Sequence, residues 1–301
     1  MSGRTVSADL KGRFEAQGFV APLPLLTPSE NRLLLDYVRR TPAPPWWPKG
    51  NAAAYPGYGL VARLPRLLSY LKELLGPDIM IWGASAVCRP AGNIHQWHCD
   101  WESALAAEGD TVTAWIGLEN CGVDTGLKLN TPSHRFCLPI QEAAHLASDS
   151  AAPLDLADDE AALALARTRD PESRIQQPTV GDGELLLFDG RIWHSGCNSR
   201  ADVDRWALLL QFATPQTAIR IPELDGPPWP VHFRELLPPC LLLSGRKDGA
   251  ANRFRDPPLR WQGEQAMSLH RRSDDLWPSG SGPLTVDNEG KPWKVQPLYR
   301  G

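Results

Sequence analysis

The rhythm of hydrophobic and polar positions changes at Gly76-Pro77. Before that point it is helical. Thr27-Pro28-Ser29-Glu30 carries a helix start: Thr27 can cap, Pro28 suits the first helical position, and Glu30 completes a reciprocal capping box. The helix is predicted to run to about Arg40, where Thr41-Pro42 forbids continuation. A short apolar run, Phe19 to Leu26, precedes it. A second helix is predicted over Leu64 to Leu75, stopped by a glycine cap and then a proline. Beyond it come short apolar runs bounded by turn residues: Ile79 to Cys88, Val112 to Leu118, Leu127 to Leu129, Glu184 to Phe188 and Trp206 to Phe212. Several short strands without alternating helices favour an antiparallel barrel or sandwich over a Rossmann sheet.

Two regions interrupt the strands. An Ala- and Asp-rich insert at about 141–175, with AALALAR at 161–167, reads as one helix flanked by loops, either a lid or solvated decoration. From Pro222 onward the pattern is irregular and 12 of the 29 prolines occur there, which predicts a stiff wrap over the core rather than a second domain. The chain is therefore expected to be a single domain over 1–301, with a core at about 18–215 and a Pro-rich C-terminal extension at about 222–301.

Composition narrows the class. The 301 residues are 42% hydrophobic and 22% charged, ordinary values for a globular chain. The net charge of −4, with no basic stripe, gives little support to a nucleic-acid or anionic-membrane surface. No run of about 18 apolar residues occurs, and the N-terminus lacks a signal-peptide core, so a cytoplasmic location is expected. The six cysteines form no CxxC pair, which suits thiols in a reducing compartment. Twelve tryptophans against three methionines are the other excess.

The richest chemistry lies in Ile94-His95-Gln96-Trp97-His98-Cys99-Asp100-Trp101. On an extended strand, residues two apart share a face, so His98 and Asp100 can aim an imidazole and a carboxylate at one point. His194 follows another apolar run, GELLLFDGRIWH. Two histidines and one carboxylate on one face of an octahedral ion leave three positions open, which suits non-haem Fe(II) binding a cosubstrate and O₂. Such a pair plus a distant histidine is weak by itself. Arg205, opening DRWALLLQF, strengthens it: its planar fork can hold a carboxylate bidentately, as a 2-keto acid with a far carboxylate needs.

These motifs, in the order GFVAPLPLLTPSE, LLGPDIMIW, RPAGNIHQWHCDW, TAWIGLEN, GLKLNTPSHRF, GELLLFDGRIWHSGCNS and DRWALLLQFA, resemble the phytanoyl-CoA dioxygenase-like family of Fe(II)/2-oxoglutarate oxygenases. The resemblance implies a mainly β fold with flanking helices, a double-stranded β-helix (jelly roll, cupin-like). It implies His98, Asp100 and His194 as iron ligands, Arg205 as the 2-oxoglutarate clamp, and Trp115 and His134 as pocket residues near the cosubstrate. Thr131-Pro132-Ser133-His134 departs from the family's usual PGSH, which puts the placement of Ser133 and His134 in doubt. Cys99 replaces a more usual polar residue, and the presence of Asp100 disfavours halogenation.

The expected activity is hydroxylation of an unactivated C–H of a small-molecule metabolite, of natural-product or amino-acid-like character, with Fe(II), 2-oxoglutarate and O₂ and release of succinate and CO₂. Two rivals remain: a cupin-like metal-dependent hydrolase or isomerase, which has no need of Arg205, and a non-catalytic jelly-roll binding protein, which has no need of the ligands. The insert, the loop Pro42 to Gly59 and the Pro-rich tail are candidate lids. Strand alternation predicts that Trp97, Trp101, Trp193 and Trp206, each beside a proposed site residue, face outward, and that Trp115 faces inward.

Overall fold

The computed structural model describes residues 10–41, 55–100, 109–147, 155–220, 237–248 and 252–255. Its elements are α1 (Leu10–Gln17), β1 (Phe19–Pro24), α2 (Pro28–Arg40), α3 (Pro56–Ala62), α4 (Pro65–Leu75), β2 (Ile79–Arg89), β3 (Ile94–His98), β4 (Thr111–Glu119) and β5 (Leu127–Thr131). After a single 3-10 turn at Ser133–Arg135 come α5 (Ile140–Ala147), α6 (Asp159–Arg167), β6 (Arg174–Gln176), β7 (Glu184–Asp189), β8 (Trp193–Cys197), β9 (Arg205–Ala213), β10 (Pro239–Ser244) and β11 (Arg253–Phe254).

Among the described residues, eleven strands form two sheets, in the orders β1-β7-β4-β9-β2-β10-β11 and β3-β8-β5-β6. Every pairing is antiparallel except β10 with β11. The fold is a double-stranded β-helix whose two sheets face each other without closing into a barrel. Alternation along β4 and β9 explains its layers. Val112, Ala114, Ile116 and Leu118, with Leu208, Leu210 and Phe212, pack on one side against Leu34 and Val38 of α2, Val61 of α3 and Leu67 and Leu71 of α4. Trp115 and Ala207, with Leu127, Leu129 and Phe188, fill the space between the sheets. Buried on both faces, these strands read as near-continuous apolar runs, which is why the sequence located them.

The helix ends match the expected chemistry. Thr27 caps α2 by accepting from the Glu30 backbone N–H, while the Glu30 carboxylate accepts from the Thr27 N–H at 2.7 Å. Gly76, at φ +83°, ends α4 in a conformation that only glycine adopts without strain.

Three expectations need correction. The Phe19 side of GFVAPLPLLTPSE is strand β1, paired with β7, and the helix before it is α1, whose polar sequence buries only Leu10. The insert holds two helices rather than one; α6 contains AALALAR, capped by Asp158, and α5 is the unexpected IQEAAHLA. The core sheet also passes residue 215, because β10, in the supposedly irregular stretch, pairs with β2 through Leu241 and Leu242. Pro239 is tolerated there as the first strand residue. The Pro-rich tail from 256, residues 42–54 of the loop and Trp101 lie outside the described residues.

Candidate metal centre and anion anchor

The structure brings His98, Asp100 and His194 together. One ligand-type atom from each lies within 4.8 Å of the others, and no other group of three or more such residues occurs among the described residues. His98 and His194 are directly paired positions on β3 and β8. Their rings lie 4.2 Å apart by centroid. The His98 Nδ1 faces the Gln96 carbonyl at 2.8 Å and the His194 Nδ1 faces the Ile192 carbonyl at 3.0 Å. A carbonyl only accepts, so each Nδ1 carries the proton and each Nε2 keeps a lone pair for an ion. Asp100 is held from the opposite sheet by the Thr113 hydroxyl, which donates to Oδ2 at 2.6 Å. Desolvation, with the His194 and His95 imidazoles nearby, holds the His98 pKa well below its ordinary value despite the opposing pull of Asp100. A neutral imidazole is the form that ligates. Asp100 and His194 are buried while His98 keeps partial access, so solvent approaches from the His98 side.

Outward-facing neighbours secure these candidate ligands. Trp97, Cys99 and Trp193 pack with Ile140, Ala143, Ala162, Leu165 and Ala166 beneath α5 and α6. The Trp97 indole N–H donates to Asp159 at 3.0 Å and that of Trp193 to the Leu138 carbonyl at 2.8 Å. The described helices of the insert therefore cover the outer face of the small sheet and clamp the ligand strands. These helices are packed against the sheet and are not solvated decoration. Trp206 also faces outward, with the Arg39 guanidinium 5.6 Å from its ring.

Arg205 sits on the inner face at the start of β9 and is 1% exposed. Its guanidinium lies 5.2 Å from the Trp115 ring centroid. Its Nε and Nη1 are buried without a hydrogen-bond partner, as is the Trp115 Nε1. No acidic side chain forms an ion pair with it among the described residues, and burial pushes its pKa down. A buried guanidinium with unused donors costs several kcal/mol unless an anion meets it. Gly196, two residues after His194 on β8, lies beside the guanidinium: a Cβ there would stand 3.9 Å from Arg205 Nη2 and 3.6 Å from His95 Cβ and Leu127 Cδ2.

His134, expected near the cosubstrate, contacts α1. It stands in the 3-10 turn, where its Nε2 donates to the Glu15 carbonyl at 3.1 Å. It lines a cavity of about 350 Å³ with Lys11, Phe14, Asp189 and Arg191, whose lining includes none of His98, Asp100, His194 or Arg205. The Thr131-Pro132 departure is compatible with this, for Ser133 is the residue that reaches the site strand: its hydroxyl accepts from the Trp193 N–H at 2.8 Å. His95, exposed, lies edge-on to His98 at 4.5 Å. Sequence reasoning missed Thr113, although a polar residue two before inward-facing Trp115 was the available signal.

Residues 60–207, a stretch that includes His98, Asp100, His194 and Arg205, match the family model of phytanoyl-CoA dioxygenase (PhyH). Over that stretch the chain is similar to the phytanoyl-CoA dioxygenase family. Solved structures carry the same fold. The non-heme monooxygenase ThoJ in its apo form is 19% identical with a TM-score of 0.56, over 89% of this chain and 97% of that one. The alpha ketoglutarate dependent carbocyclase SnoK from nogalamycin biosynthesis is 15% identical, TM-score 0.55, over 75% and 92%. The epimerase SnoN, in complex with Fe3+, alpha ketoglutarate and nogalamycin RO, is 16% identical, TM-score 0.52, over 69% and 84%. No curated protein matches the sequence. Among the described residues no helix is long and apolar enough to cross a membrane.

Proposed function

We propose that this protein is an Fe(II)- and 2-oxoglutarate-dependent oxygenase that hydroxylates an unactivated C–H of a small-molecule metabolite. The observation that carries the reading is a two-histidine, one-carboxylate set together with a buried arginine whose donors are unused, on the facing sides of the two sheets. The donor set fits an ion that takes imidazole and carboxylate and keeps positions open. Iron, 2-oxoglutarate and O₂ would supply the oxidising chemistry, with succinate and CO₂ released. His98 and His194 would each present Nε2, and Asp100, steadied by Thr113, one carboxylate oxygen. Arg205 would orient the cosubstrate by holding its far carboxylate. Trp115, Phe188 and Leu129 keep that space dry, which strengthens the charge-assisted contact.

A hydrolase or isomerase of the cupin type leaves the Arg205 donors unexplained, and a plain binding protein leaves the ligand set unexplained. The epimerase and carbocyclase named among the structural neighbours make stereochemical inversion and ring closure the second reading. The first test is anaerobic: protein with Fe(II) and 2-oxoglutarate should develop a weak visible metal-to-ligand band, absent in the His194→Ala variant. A protein that binds Fe(II) but develops no band overturns the proposal. With substrate in hand, gain of one oxygen atom marks hydroxylation, loss of two hydrogens ring closure, and an unchanged mass epimerisation.

A further inference from the structure

Arg205 is not the only desolvated cation at this end of the inner face. Arg89, the last residue of β2, is its directly paired neighbour on β9. Like charges at directly opposed positions of an antiparallel pair stand about 5 Å apart at Cβ and repel. Arg89 Nη1 donates to the Asn93 side chain at 2.9 Å, but its Nε is buried and without a partner. Burial lowers the pKa of both guanidiniums, and each lacks an acidic ion-pair partner among the described residues. Of the thiols around them, Cys121 is pushed up to about 12 by burial and Cys88 is also raised, while Asp204, beside Cys88, accepts from the Ala91 N–H at 3.3 Å and forms no ion pair with either arginine. The arrangement is nevertheless built. The fully buried Asn198 amide donates to the carbonyls of Arg89, Pro90 and Val203 at 2.8–3.2 Å, pinning the end of β2 to the turn that leads into β9.

We infer that Arg89 is a second carboxylate anchor, forming with Arg205 a paired-arginine cradle that selects a 2-oxo acid bearing a distal carboxylate. The inference rests on the reading of Arg205 given above and adds Arg89 as a specificity-determining residue. A carboxylate has two oxygens and about four acceptor directions, enough for both forks. An anion between the arginines converts their repulsion into two charge-assisted contacts and satisfies the Nε of each. One arginine would suffice to hold a carboxylate; two make its charge a condition of binding.

Calorimetry with the Mn(II)-loaded protein separates the possibilities, using 2-oxoglutarate and 2-oxopentanoate, which keeps the five-carbon chain but ends in a methyl. Arg89→Met should weaken 2-oxoglutarate roughly 10- to 100-fold, the range of one charge-assisted hydrogen bond, with 2-oxopentanoate within twofold of wild type. Arg89→Lys should recover most of the loss, since it restores the charge. Equal weakening of both acids would mean a merely structural role and overturn the inference. So would unchanged 2-oxoglutarate affinity in Arg89→Met, which leaves the oxygenase reading standing. Wild-type protein that binds neither acid overturns both.

Discussion

The outer face of the small sheet and the inner face of the large one treat the same side chain in opposite ways. Trp97 and Trp193, on the outer face of the small sheet, are fully buried and their indole N–H groups are satisfied by Asp159 and Leu138. Trp115, on the inner face of the large sheet, is as deeply buried, yet its Nε1 has no partner, and neither do Nε and Nη1 of the arginine beside it. A buried polar group left unpaired costs about 1–3 kcal/mol, more when charged. Both outer indoles are paired, whereas the inner tryptophan and arginine keep unused donors that a ligand would meet. The outer face is not free of such groups, since the buried Asn130 amide, opposite Trp193, also lacks a partner.

The contrast can be broken at three strengths. Trp193→Ala on the outer face should cost the most stability, about 3–5 kcal/mol as expected for truncating a buried tryptophan, measured by urea unfolding. Arg205→Met should do the reverse. Exchanging an unpaired buried cation for an apolar side chain of similar length should leave the stability of the metal-free protein unchanged or raised. Its 2-oxoglutarate affinity, by contrast, should fall about 100-fold, the loss of about 3 kcal/mol of charge-assisted contact. If Arg205→Met unfolds the protein as Trp193→Ala does, the two faces are not different in kind. Smallest is Thr113→Val, which keeps the shape and removes the hydroxyl that steadies Asp100. Metal affinity, read by competition with a chelator, should fall about tenfold with little change in stability.

How much of this was legible depends on the range of the signal. Alternation is local, so His98 and Asp100 inward with Trp97 and Cys99 outward could be read from five residues, and the capping box at Thr27 from four. What covers the outer rings could not be read that way. Trp97 and Trp193 meet α5 and α6, which are brought there by β5–β6 pairing around Asn130 and Ile175, while the Pro-rich tail lies outside the described residues. Nor did composition reveal β10, because PCLLLS is a strand only by virtue of its pairing with β2. His134, which a motif match placed near the cosubstrate, stands in a turn that packs on α1 through Glu15, a contact no local pattern shows. Arg89 escaped notice because its meaning lies in a cross-strand partner 116 positions later (205 − 89), and only the register reveals that.

The most direct test of the central claim is a crystal structure of the protein grown anaerobically with Fe(II) and 2-oxoglutarate. The account predicts anomalous density for one ion bounded by His98 Nε2, an Asp100 oxygen and His194 Nε2, with the far carboxylate of the ligand on Arg205. An Arg205 guanidinium paired instead with an acidic side chain of this chain, with 2-oxoglutarate absent from that space, would contradict it.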